Sequence, residues 1–172
     1  MEQKVAKQLT LAPDLWQQCE QLYRNNPACF IAMQDQFGVN VNLFLLAVYL
    51  DGDDHRQSEA NPISLSSEQW QELSLAVTPW DTSMLIPYRT IRRTGKSQLT
   101  AEQYQQMLEV ELMLERKSQQ LISNAMRTFT LPIQHQQQAT ATTDSNVKQY
   151  LQLLIQPEPA FKFWQQNLTT FD

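Results

Sequence analysis

Apolar residues in this chain recur three and four apart far more often than two apart, so the sequence predicts helices. Leu15, Trp16, Cys19, Leu22 and Tyr23 form the first stripe, opened by Ala12-Pro13-Asp14 and ending near Asn25. Asn26-Pro27 reads as a cap and a second start, carrying Phe30, Ile31 and Met33 to a stop at Gly38. Asn40 is placed to cap a third helix, apolar on nearly every side from Val41 to Leu50 and expected at the centre of the domain. A strand is the rival reading of so short an apolar run, but no hairpin signal or alternating partner lies nearby.

Residues 52 to 65 lack apolar periodicity and read as a loop after Asp51-Gly52. Ser66-Ser67-Glu68-Gln69 supplies a capping box for a helix bearing Trp70, Leu73, Ala76 and Val77. Thr78-Pro79 is expected to break that helix and start another, with Trp80, Met84 and Ile91, a bend at Pro87 and an end at Gly95. Thr100-Ala101-Glu102-Gln103 caps the longest helix, whose stripe is Tyr104, Met107, Leu108, Leu114, Leu121, Ile122, Ala125 and Phe129. The fold class is all-α: a compact bundle of about six helices with a short helical C-terminal extension. The chain divides into an N-terminal tail (1–9), a helical core domain (10–130), a Gln/Thr-rich linker (131–147) and an apolar helical tail (148–172) holding Tyr150 to Ile155 and Phe161 to Trp164.

Composition narrows the function classes. With 172 residues, 42% apolar, the chain builds one ordinary core without needing a metal or disulfide. A net charge of −5 disfavours electrostatic capture of nucleic acid or anionic membrane, leaving at most weak local contact through a basic face. Met1 to Leu9 has no apolar core of a signal peptide, and Val41 to Leu50 is too short to span a bilayer, so the expected compartment is the cytoplasm. Cys19 and Cys29 are expected in that compartment as reduced, buried thiols, and a catalytic role has no support because the only histidine partners, His55 and His135, fall in loops.

Little in the sequence carries catalytic chemistry. Asp51-Gly52-Asp53-Asp54-His55 suggests a calcium loop, but Pro62 or Ser64 stands where the bidentate glutamate is needed, so it reads as a solvated helix end. There is no third aspartate for an isoprenoid-synthase motif, no Glu-x-x-His pair and no glycine-rich phosphate loop. No cofactor and no metal are implied. Two constellations stand out. Arg89, Arg92, Arg93 and Lys96 lie at i, i+3, i+4 and i+7, one helix face that either grips an anionic partner or pairs with acids of neighbouring helices. Asp35, Asn40 and Asn42 crowd the entrance to the apolar helix, either as a structural network in which Asp35 reaches Arg89 or Arg92, or as a ligand site.

Leu15-Trp16, Leu22-Tyr23, the run Met33 to Leu43, Trp80, Pro87-Tyr88-Arg89 and Ile91-Arg92-Arg93 together resemble a gammaproteobacterial family of small helical proteins classed as a domain of unknown function. The resemblance spans roughly residues 10 to 127 and departs mildly at Asn40, where the family often has an acidic residue, and at Tyr88, where it often has leucine. It implies a helical fold unit and no reaction. The leading expectation is a non-enzymatic interaction or adaptor protein that meets another protein through the Arg89 to Lys96 face. The alternative is a small-ligand or enzyme module with a polar pocket between the Asp35/Asn42 region and Arg89.

Overall fold

The computed structural model describes residues 7–52, 63–131 and 145–167. Most of the loop at 52–65, most of the linker, and both histidines lie outside the described residues. The fold is all-helical, as expected. Helix α1 (Leu15–Asn25) buries Leu15 and Cys19. Helix α2 (Pro27–Phe37) begins where the Asn26 side chain accepts the Cys29 amide and ends at Gly38, whose φ of 71° is strained for any residue with a Cβ. Helix α3 (Val41–Asp51) is capped by Asn40 Oδ1 on the Leu43 amide and is buried nearly all round, at the centre of the molecule.

Helix α4 (Ser67–Trp80) starts with the expected capping box of Ser66 and Gln69. Its end departs from expectation: Pro79 does not break the chain into two helices. Lacking an N–H, Pro79 leaves the Leu75 carbonyl without its helical donor. The chain stays helical and opens into a π turn at Asp81–Leu85, where the Ile86 N–H reaches back five residues to the Asp81 carbonyl. The Thr82 and Ser83 hydroxyls bond the carbonyls of Thr78 and Pro79. Helix α5 (Ile86–Gly95) follows directly, so the irregularity expected at Pro87 lies one turn earlier, and a 3₁₀ turn (Lys96–Gln98) closes the rod.

Helix α6 (Ala101–Met126), with its Thr100–Gln103 capping box, is about 39 Å long at the standard rise. Its buried positions are not purely apolar as the stripe predicted. They are Glu111, Leu114, Ser118, Ile122, Ser123 and Met126. The turn after it buries Phe129 and leads to a two-residue ladder in which β1 (Lys7–Gln8) pairs antiparallel with β2 (Thr130–Leu131).

The C-terminal segment belongs to the same core. Helices α7 (Asn146–Leu151) and α8 (Pro157–Asn167) bring Val147, Tyr150, Leu151, Ala160 and Trp164 into the cluster that holds Phe30, Phe44 and Trp70. The Trp164 ring meets Phe44 at 4.9 Å between centroids, nearly edge to face, and Tyr150 stands 5.5 Å from Trp70. Asp51, expected in a solvated loop, instead caps α7: its carboxylate accepts the backbone amides of Asn146 and Val147 at 2.8 and 3.0 Å. That position sets a negative charge at the positive end of the α7 dipole.

Candidate functional site

Helix α5 lies against α6, so arginines three apart on one meet glutamates four apart on the other. Arg89 Nε donates to Glu111 at 3.1 Å and Arg89 Nη2 to Glu115 at 2.5 Å. Arg92 donates through Nε and Nη2 to both oxygens of Glu111, and through Nη1 to the Tyr104 hydroxyl at 2.5 Å. Burial alone would raise the Glu111 carboxyl, but hydrogen bonds and charge from Arg92 and then Arg89 hold it below its ordinary range. The four-cation face is therefore divided. Arg89 and Arg92 are neutralised within the chain, while Arg93 and Lys96 stay exposed, with no carboxylate among the described residues pairing with either and Lys96 over the Tyr104 ring at 5.4 Å.

Two turns further along α6, a different cluster forms around Asp81, the first residue of the π turn and only 6% exposed. Ser118 donates its hydroxyl to Asp81 Oδ1, and Asn40 Nδ2 donates to Oδ2 at 2.6 Å. The Asn40 backbone N–H in turn donates to the Tyr150 hydroxyl at 2.9 Å, which joins α7 to the network. Burial raises the Asp81 carboxyl above its ordinary value; the Ser118 and Asn40 bonds and the charge of Arg89 offset only part of that. Asn42, also buried, accepts from Gln119 at 3.2 Å.

The polar network read at Asn40 and Asn42 thus exists with other partners than expected. Asp35 is exposed on α2 and makes no ion pair with an arginine among the described residues, because Glu111 and Glu115 already occupy Arg89 and Arg92. Sequence reasoning missed Asp81, Glu111 and Ser118. The available signal was a polar residue recurring at i and i+7 within the apolar stripe of α6, a pattern a buried seam produces only when something polar faces it.

Two clefts that share Gln34, Val41, Asn42, Arg89 and Arg93 open beside these clusters. One, of about 410 Å³, lies between the α2–α3 corner and the π turn, and brings Asp35, Asn40, Asn42, Asp81 and Arg89 to one space. The other, of about 600 Å³, runs between α1, α2, α5 and α6 past Ile31, Leu112, Glu115 and Arg116. Both cysteines are free and buried, and burial pushes the Cys19 thiol up to about 12, far from a thiolate at neutral pH. Among the described residues no three His, Cys, Asp or Glu side chains converge as metal ligands, and no helix is long and apolar enough to cross a membrane.

No curated protein and no solved structure matches this chain. A family model does match residues 14–122, more than half of the sequence, and it spans α1 through most of α6, with both polar clusters apart from Tyr150. The chain belongs to the family described as protein of unknown function (DUF2390).

Proposed function

We propose that this chain is a non-catalytic cytoplasmic binding protein that docks an acidic, apolar-bearing segment of another protein in the cleft between α1, α2, α5 and α6. The observation that carries this reading is the charge left over there. The cleft acids Glu20, Glu111 and Glu115 are each bonded to an arginine, whereas Arg93 and Arg116 have no carboxylate partner among the described residues. Its walls also hold Ile31 and Leu112, each 41% exposed, which gives an apolar segment something to cover. Free arginines beside exposed aliphatic side chains suit a protein partner better than a phosphate backbone, which needs a longer cationic track.

The test uses the free cations alone, since Arg89 and Arg92 are part of the fold. Arg93→Glu combined with Arg116→Glu is expected to leave the helical spectrum and melting unchanged while abolishing capture of the partner from the native cell. Capture that persists through both reversals sinks the reading. Capture that falls steeply with salt and is abolished by nuclease treatment points to nucleic acid instead.

A further inference from the structure

We propose that the 410 Å³ cavity at the π turn is a binding site for a small organic compound bearing a primary ammonium group, with the Asp81 carboxylate as its anchor. The cavity shares Arg93 and four other lining residues with the partner cleft, but its anchor Asp81 lies outside that cleft, so substitution of Asp81 tests this site separately.

The cavity wall is rich in acceptors. An ionised carboxylate offers about four acceptor positions, and Ser118 and Asn40 fill two of those on Asp81. Thr78, Thr82 and Thr90 also line the cavity, and each gives its hydroxyl proton to a carbonyl of its own helix: Ser74, Thr78 and Ile86 respectively. What they turn outward is oxygen lone pairs, and an ammonium group carries three N–H donors that need such partners. Asp35 at the rim adds a second carboxylate without a cation partner among the described residues. Arg89, on the same wall, competes little, because its guanidinium is committed to Glu111 and Glu115.

The charge at position 81 is also not required by packing. An asparagine there satisfies the same neighbours: its Oδ1 accepts from Asn40 Nδ2, and its Nδ2 donates to Ser118 Oγ, whose own proton turns to the Leu114 carbonyl. A buried carboxylate without a dedicated cation, placed where a neutral amide fits, is a liability unless it meets a positive charge from outside. The π turn that carries it is a feature that recurs at functional sites, and the cavity is of a size that takes a small molecule. Arg93, also on the rim, admits either a simple amine or an amine with a distal carboxylate, and the probes separate these.

Calorimetric titration of the full chain with n-butylamine, 1,4-diaminobutane and 4-aminobutyrate, with 1-butanol as uncharged control, tests the site. At least one amine is expected to bind saturably at one per chain while the alcohol does not; preference for 4-aminobutyrate assigns Arg93 a carboxylate. Asp81→Asn is expected to weaken that binding about tenfold or more with its melting temperature kept or raised. Should that variant misfold, Thr82→Val at an exposed position provides the same readout with a smaller loss. The proposal is overturned if no amine binds at millimolar concentration, if the alcohol binds as tightly, or if neither substitution changes affinity.

Discussion

The same seam of α6 buries two polar clusters two turns apart, and they are neutralised in opposite ways. At Glu111 two arginines meet two glutamates, so every charge taken out of water finds an opposite charge. At Ser118 a single carboxylate, Asp81, meets only neutral donors. The first arrangement is self-contained and tolerates no missing member; the second is under-compensated, and its charge is disfavoured by the fold that holds it. Geometry alone would call both structural. The charge balance separates a cluster that locks α5 to α6 from one with capacity to spare.

The sharpest break of the comparison removes Tyr150 together with its helix. A chain ended at residue 131 loses Val147, Tyr150, Leu151, Ala160 and Trp164 from the core. Large buried side chains are worth roughly 2–5 kcal/mol each against a total stability of about 5–15 kcal/mol, so cooperative melting should be lost. A truncated chain that melts as sharply as the full one would show that the C-terminal helices are not part of the core. Next in size, Glu111→Ala leaves the largely buried Arg92 without a carboxylate and Arg89 with Glu115 alone, and should cost about 3–5 kcal/mol in urea unfolding. Tyr150→Phe, which strips the acceptor from the Asn40 amide, should cost about 1–3 kcal/mol and loosen the Asp81 side only.

The smallest effects have opposite signs with pH. The Glu111 carboxyl is lowered in the folded state, so its contribution is present above its ordinary value of 4.5 and is lost as pH falls through the lower folded value. Asp81 is raised, so its ionisation weakens the fold at neutral pH and that penalty disappears as pH falls below the folded value toward its ordinary 3.8. Asp81→Asn is therefore expected to match or exceed the parent by up to about 1 kcal/mol at neutral pH, with the two stability curves converging on acidification. A variant clearly less stable at neutral pH would show that the carboxylate is needed for packing.

Elements with local signals were legible in the sequence. Ser66 with Gln69, Thr100 with Gln103, Asn26 before Pro27, Gly38 and Asn40 each mark a boundary with residues three or four apart, and each boundary lies where those residues put it. Pro79 misled because a proline within a helix can be absorbed by a widened turn as well as end the helix. The candidate site was half legible: Asn40, Asn42 and Arg89 do line one cavity. Their partners were not, because Asp81 and Ser118 are 41 and 37 positions away along the chain from the groups they meet, and periodicity carries no information at that range. The docking of α8 was hidden for the same reason, Phe44 and Trp164 being brought together only by the closed fold.

That closure has a consequence for how the protein is made. Trp164 plugs the centre of a core whose other walls, Phe30, Phe44 and Trp70, have all been synthesised well before it. At roughly 5–20 residues per second, translation from Met126 to Trp164 takes about 2–8 s, during which a nascent chain carries its long helix complete and its aromatic centre still unsealed. Such a chain is expected to be a client for holding chaperones during that interval. Stalled chains ending before α7 should therefore be captured by them, and released full-length chains should not.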